Sequence, residues 1–205
     1  MAVIPSTCDA AVYASLKFCN GETVLPGIRS RVYYISKANI ATWPTVVSDW
    51  TVMANDKSQN AAHGAAYSGN FTLASDAHWD FIDLVANNGS VTWETQGEAP
   101  SQTIKNTASF KHARIDAAAA SVQSLALNSD LVFLVQQRDG FFRVIGSEAF
   151  VAEVSVSGGT GEDVTSSDAG STFEVSCTDT APAPFYFGTI TTEDGDISAD
   201  PTSAE

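Results

Sequence analysis

The chain has 205 residues, 44% hydrophobic and 10% aromatic, which is enough apolar material for one globular domain with a sizeable core. Its formal charge of −14 is polarised: all ten Lys and Arg lie at or before Arg143 beside twelve acids, whereas residues 144–205 carry twelve acids and no base. A surface of that charge repels polyanions; the apolar bursts are too short for the roughly 20-residue helix that crosses a bilayer, and no basic-then-apolar leader opens the chain.

The first residues include Cys8 and Cys19, which with Cys177 make an odd count without CxxC spacing. This argues against a disulfide framework and against a zinc site. Free thiols are expected, although Cys8 and Cys19 bracket a short segment containing Ala11 to Phe18 that a bridge could close.

After the turn signals Asn20-Gly21 and Pro26-Gly27, the run Ile28 to Ser36 is rich in β-branched and aromatic residues and predicts a strand. The stretch from there to about Ala66 lacks sustained periodicity and reads as a long loop, with a short strand near Trp50 to Met53; loops of this length are usually functional. Strands are predicted at Gly69 to Ala74, Ala77 to Val85 and Ser90 to Glu94, the last two joined by Asn87-Asn88-Gly89, and together they read as a meander. Ser101 to Arg114 has no clean period, and a strand is favoured in its second half.

The one good helix is predicted from Asp116 to Asn128, because Ala is the best helix former and Asp116 can cap the first turn. Val122, Leu125 and Ala126 would supply its sheet-facing side. A hairpin follows, Leu131 to Gln137 and Phe141 to Gly146, joined at Arg138-Asp139-Gly140. The continuous apolar run Leu131 to Val135 predicts a strand covered on both faces. A final pair, Glu148 to Val156 and Ser171 to Cys177, flanks a Gly-rich loop from Ser157 to Asp163. Carboxylates beside that loop oppose phosphate binding, so a mobile hairpin loop is the better reading. Pro182, Pro184 and Phe185-Tyr186-Phe187 would close a single β-rich domain over residues 1–190. Residues 191–205 read as a flexible acidic tail.

Little here promises chemistry. His63, His78 and His112 stand apart without metal or catalytic spacing; His78 and Asp80 would share one face of a strand, yet no motif ties a nucleophile to them. Asp194, Asp196, Ser198, Asp200 and Glu205 fall at the offsets of a calcium loop. Ala199 stands where that loop needs Gly, and Pro201 follows, so a solvated acidic segment is preferred. No catalytic, cofactor or metal residue is therefore assigned, and an enzyme is not expected.

The fold class expected is mainly β, a β-sandwich or rolled β-barrel with one flanking helix at about 116–128 and long loops. This order of elements resembles the major tail tube proteins of long-tailed bacteriophages. The residues that carry the resemblance are the Ala-rich helix from Asp116 to Asn128, the hairpin Leu131 to Gly146, and the pair Phe150 to Val156 with Thr172 to Cys177. The resemblance implies a virion structural protein, made in the host cytoplasm. Six copies would close into a ring whose inner wall is a continuous β-barrel, and rings would stack through loops and termini, here the N-terminal segment and the loop around Trp43 to Ala66. It also implies other tail proteins as partners, such as a tape-measure protein and a terminator, and genome DNA that passes through without specific binding. An acidic wall would keep DNA from sticking, with Glu153, Glu162, Asp163 and Glu174 as candidate channel residues. The alternative from another class is an adhesin or carbohydrate-binding β-sandwich on a phage or cell surface, using Trp43, Trp50, Trp79 or Trp93 as sugar platforms. Burial in a core or interface is the more ordinary fate of each indole.

Overall fold

A computed structural model describes residues 20–21, 23–46, 65–162 and 169–200. In chain order the elements are β1 (Ile28–Ser36), β2 (Ile40–Thr42), β3 (Thr45–Val46), β4 (Ala66–Ser68), β5 (Thr72–Leu73), β6 (Asp80–Asp83), β7 (Gly89–Gln96) and β8 (Thr103–His112). Helix α1 (Ala117–Ala126) follows, then β9 (Leu131–Gln137), β10 (Phe142–Ile145), β11 (Glu153–Gly159), β12 (Gly170–Asp179), β13 (Phe185–Tyr186), β14 (Thr189–Thr192) and β15 (Gly195–Ser198). Among the described residues the chain is mainly β with one α-helix, as its turn density and two-residue periodicity predict.

A seven-stranded sheet, in the order β3-β4-β13-β10-β9-β1-β6, divides the core. Side chains of a strand alternate between faces, and the β9 run is apolar at every step, so it feeds both sides. Leu131, Phe133 and Val135 join one cluster with Phe110, Phe173 and Val175, while Val132 and Leu134 join another with Tyr33, Phe71, Trp79 and Tyr186. All five residues of the run are buried, as its unbroken apolar character predicts. The β9–β10 hairpin turns at Arg138-Asp139-Gly140, where Gly140 sits at φ 104°, a conformation that favours glycine.

On one face lies the second layer, a four-stranded antiparallel sheet in the order β11-β12-β8-β7. Here β8 is a full ten-residue strand. Its irregular hydrophobicity has a physical source: Asn106 occupies an inner position and is buried, donating through Nδ2 to Ala181 O (3.0 Å) and accepting at Oδ1 from Ala183 N (2.8 Å). The amide fixes the segment between β12 and β13 where an apolar residue would leave those backbone groups unpaired. Helix α1 starts where predicted, because Asp116 Oδ1 accepts from Ala119 N at 2.9 Å. That hydrogen bond, with smaller help from Arg114, holds the Asp116 carboxyl below its ordinary value. The helix lies shallowly: Ala119 and Ala126 are buried and Val122 is half-buried, but Leu125, expected on the packed face, is exposed.

Two further expectations are corrected. The predicted meander does not form: β5 pairs with β2, β6 with β1, and β7 with β8, so its three strands belong to three different sheets. The acidic segment from Thr191 onward does not begin a flexible tail. Thr189 to Ser198 form the β14–β15 hairpin, turning at Glu193-Asp194, with Gly195, the first residue of β15, at φ 122°. Ile190 and Ala199 are fully buried in the second cluster, and Trp79 N donates to Thr191 O at 2.8 Å. The alternation of Ile190 and Thr192 with exposed partners drives this, and the acids occupy only the solvent side and the turn. Residues 201–205 lie outside the described residues, as do the strand expected near Trp50 to Met53 and the N-terminal segment with Cys8 and Cys19.

If the hairpin is part of the core, Ile190→Ala should destabilise the protein by about 2–5 kcal/mol, the usual cost of truncating a fully buried aliphatic side chain. Urea unfolding should show a lower midpoint with an unchanged slope. A midpoint equal to that of the wild type would mean that the hairpin contributes nothing to the core.

Candidate functional site

The four-stranded sheet turns one face to the core and the other to solvent, and the solvent face is polar throughout. Along β8 the outward series is Thr103, Lys105, Thr107, Ser109 and Lys111; the register places Thr178, Ser176, Glu174 and Thr172 of β12 beside the last four. On the flanks, β7 adds Ser90, Thr92, Glu94 and Gln96, and β11 adds Glu153, Ser155 and Ser157. Gln96 Nε2 donates across the strands to Thr103 Oγ1 (3.2 Å) and Thr178 Oγ1 (2.9 Å). The result is a lawn of short hydroxyls with three carboxylates and two ammonium groups and no apolar side chain. Such a face binds little by the hydrophobic effect.

Both edges of this sheet are open among the described residues: β7 pairs with β8 alone and β11 with β12 alone. Open edges present unpaired N–H and C=O groups that template further pairing. Lys111 fixes which groups point outward. Its N–H and C=O bond Asn88 O (3.3 Å) and Val85 N (2.8 Å) on the β7 side while its side chain lies in the polar series. By alternation, the backbone groups of Val91, Trp93 and Thr95 point away from β8, and those of Val154, Val156 and Gly158 away from β12. The two edges also run in opposite directions, because the three pairings of the sheet are all antiparallel.

At the β7 edge stands Trp93, 48% exposed and directed to the core side of the sheet, opposite Asn106. The Arg143 guanidinium lies 5.2 Å from its ring centroid and 3.7 Å from that of Phe185, a cation held between two aromatic faces. Arg143 is buried and donates through Nε to Gln137 Oε1 (3.0 Å) and through Nη1 to Ala183 O (3.0 Å). Burial lowers its pKa from the ordinary value, with Asp139 acting weakly in the other direction.

Of the four acids expected to line a channel, Glu153 and Glu174 do share the polar face, on adjacent strands. Glu162 is exposed beyond the end of β11, and Asp163 lies outside the described residues. The Gly-rich stretch is only partly a loop, since Ser157 to Gly159 complete β11. Among the tryptophans, Trp79 is buried, and Trp43 packs edge-on to Phe71 with ring centroids 5.4 Å apart. Trp50 and His63 are outside the described residues. His78 Nε2 comes within 3.5 Å of Asp80 Oδ1, and His112 Nδ1 lies 2.6 Å from Asp83 O, so the two rings serve separate local contacts. Asp194 and Asp196, which fall at calcium-loop offsets in the sequence, sit in the hairpin turn and on β15. Lys105, Lys111 and the Trp93–Arg143 pair were not anticipated from sequence; a strict two-residue count along Thr103 to Lys111 would have found the two lysines.

Comparison of the chain with family models, with curated proteins and with solved structures finds no match.

Cys177 is free and buried, and burial, aided by Asp179, pushes its thiol up to about 11. A thiol raised in the folded state stabilises the fold fully below its unfolded pKa, and this contribution is lost as pH rises through the folded value. Stability should therefore fall between about pH 9 and 11. In a Cys8→Ser, Cys19→Ser background, a thiol reagent at pH 8 should label Cys177 slowly in the folded protein and at once in denaturant. Fast labelling of the folded protein would contradict the packing described.

Proposed function

We propose that this chain is a virion structural protein that assembles head to tail into hexameric rings, stacked as a phage tail tube through which DNA passes. The observation that carries the reading is the four-stranded sheet with a wholly polar outer face and two edges that are open among the described residues and oppositely directed. Rotation about an axis along the sheet brings β7 of one copy antiparallel to β11 of the next, the pairing geometry that a closed barrel needs. A heterologous contact of this kind makes a ring when the rotation closes. Closure also removes the edges that would otherwise invite aggregation.

Six copies, the number implied by the family resemblance, would give 24 strands. At a spacing of about 4.8 Å and a tilt of about 40°, such a barrel is roughly 45–50 Å between opposite backbones, with room for a DNA duplex after side chains are allowed for. The inner wall would then be the hydroxyl face. Its three carboxylates exceed its two ammonium groups by one per copy, so repulsion of phosphate is mild and repeated around the ring. Smooth passage in this reading owes as much to the absence of apolar or strongly basic contacts as to negative charge.

The first test is negative-stain microscopy of the concentrated protein with a mass measurement alongside. Hollow rings or tubes are expected; a persistent monomer that binds glycans on an array would instead favour the adhesin reading, for which Trp93 supplies an exposed indole.

Charge on the wall gives a second test. Assembled Glu153→Lys, Glu174→Lys protein should retain duplex DNA with an affinity that falls steeply with salt, roughly 0.9 in log–log slope for each phosphate that the new lysines neutralise. Wild-type assemblies should retain far less at the same ionic strength. Equal retention by both would place these carboxylates away from the DNA path.

A further inference from the structure

Resting on the ring reading, we infer that Trp93 of one copy seats in a groove beside the β11 edge of the next copy and sets the register between them. The groove, about 460 Å³, lies between helix α1 and the end of β11 and is lined by Ile115, Ala120, Leu127, Val156 and Gly158 among others. Ile115 and Leu127 are 44% and 53% exposed, and from Ala117 to Asn128 the helical segment carries no charged residue. An exposed helix without charge is unusual for a solvated surface. Gly158 stays bare for a local reason, since a Cβ there would come within 2.7 Å of Gly170 O, and its bareness keeps the groove open.

Barrel geometry brings the indole to this place. In a single copy, Trp93 is level with Asn106 and Cys177, hence with the start of β11 near Ala152. In a ring, each four-stranded unit is staggered against the next along the strands. At a tilt of about 35–45°, four strands spaced about 4.8 Å apart give a stagger of roughly 13–19 Å, or four to six residues. The hand of the sheet follows from Lys111, whose backbone faces β7 while its side chain faces the polar side. With the polar face inside and the right-handed coil of barrel strands, the stagger carries Trp93 from the level of Ala152 toward Val156 and Gly158 of the neighbour. Trp93 and Val156 both point to the core side and both turn their backbone groups outward at their edges, so they match as a hydrogen-bonded pair. The indole then lies against Val156, Ile115 and Leu127 of the adjacent copy, with Arg143 of its own copy behind it.

The test uses three full-length proteins: wild type, Trp93→Ala, which lacks the knob, and Leu127→Glu, which spoils the groove. Both substitutions are at exposed positions, and thermal unfolding checks that each variant is folded. Wild type should form rings, and each variant alone should associate roughly thirtyfold more weakly, as expected for a central interface indole and its pocket. Mixed, the variants should give one-to-one heterodimers that grow no further, because each retains the half that the other lacks. Rings from wild type and from both variants at the same concentration would overturn the knob and groove while leaving the ring reading intact, as would folded variants that give no heterodimer. A wild-type chain that never assembles would overturn the ring reading, and this inference with it.

Discussion

Burial of β9 on both faces is the constraint from which the rest of the molecule follows. Five successive apolar residues, Leu131 to Val135, cannot sit at a solvated sheet surface without exposing every second one. The seven-stranded sheet therefore needs a cover on each side. One cover is built from small pieces, with Phe71, Trp79 and the Ile190 hairpin closing over Val132 and Leu134. The other is the four-stranded sheet, whose Phe110, Phe173 and Val175 meet Phe133 and Val135. Because that second sheet satisfies its apolar side entirely inward, its outer side is free to be uniformly polar.

A sheet used this way stabilises the fold with one face and presents the other, together with both edges, to the outside. The same alternation that buries Phe173 and Val175 displays Glu174 and Ser176. Asn106 and Arg143 hold the two layers in register at the Trp93 end, both reaching the backbone of Ala183. Rigid support beneath an exposed indole matters for recognition, because a preorganised aromatic loses little entropy when it is covered. Fold stability and the proposed assembly thus draw on the same strands, but on opposite sides of them.

Much of this was legible in the residues. The β-branched and aromatic run Ile28 to Ser36 is β1 end to end, the Asp-Gly signal marks the β9–β10 hairpin, and Asp116 caps the helix as its position suggests. The misreadings have physical causes. A buried Asn106 broke the apolar alternation of β8 and hid a ten-residue strand. Acid-rich composition outweighed the alternation of Ile190, Thr192, Ile197 and Ala199 around Glu193-Asp194, so a hairpin read as a tail. Proximity in sequence suggested a meander where β5, β6 and β7 each pair with strands of different sheets, a choice made by long-range packing that local pattern does not encode. The candidate site was partly legible: Glu153 and Glu174 were singled out, but the hydroxyl face and its lysines emerge only when four strands from separate parts of the chain are laid side by side.

In the proposed assembly, copies of this chain join through the two edges of the four-stranded sheet that are open among the described residues. Backbone hydrogen exchange on the assembled and the dissociated protein tests it directly, since the amides at Val91, Trp93 and Thr95 on β7 and at Val154, Val156 and Gly158 on β11 point away from their own sheet in a single copy. These amides should become strongly protected on assembly, while those of β9 should be equally slow in both forms. Assemblies that leave both edges exchanging as fast as in the monomer would contradict it.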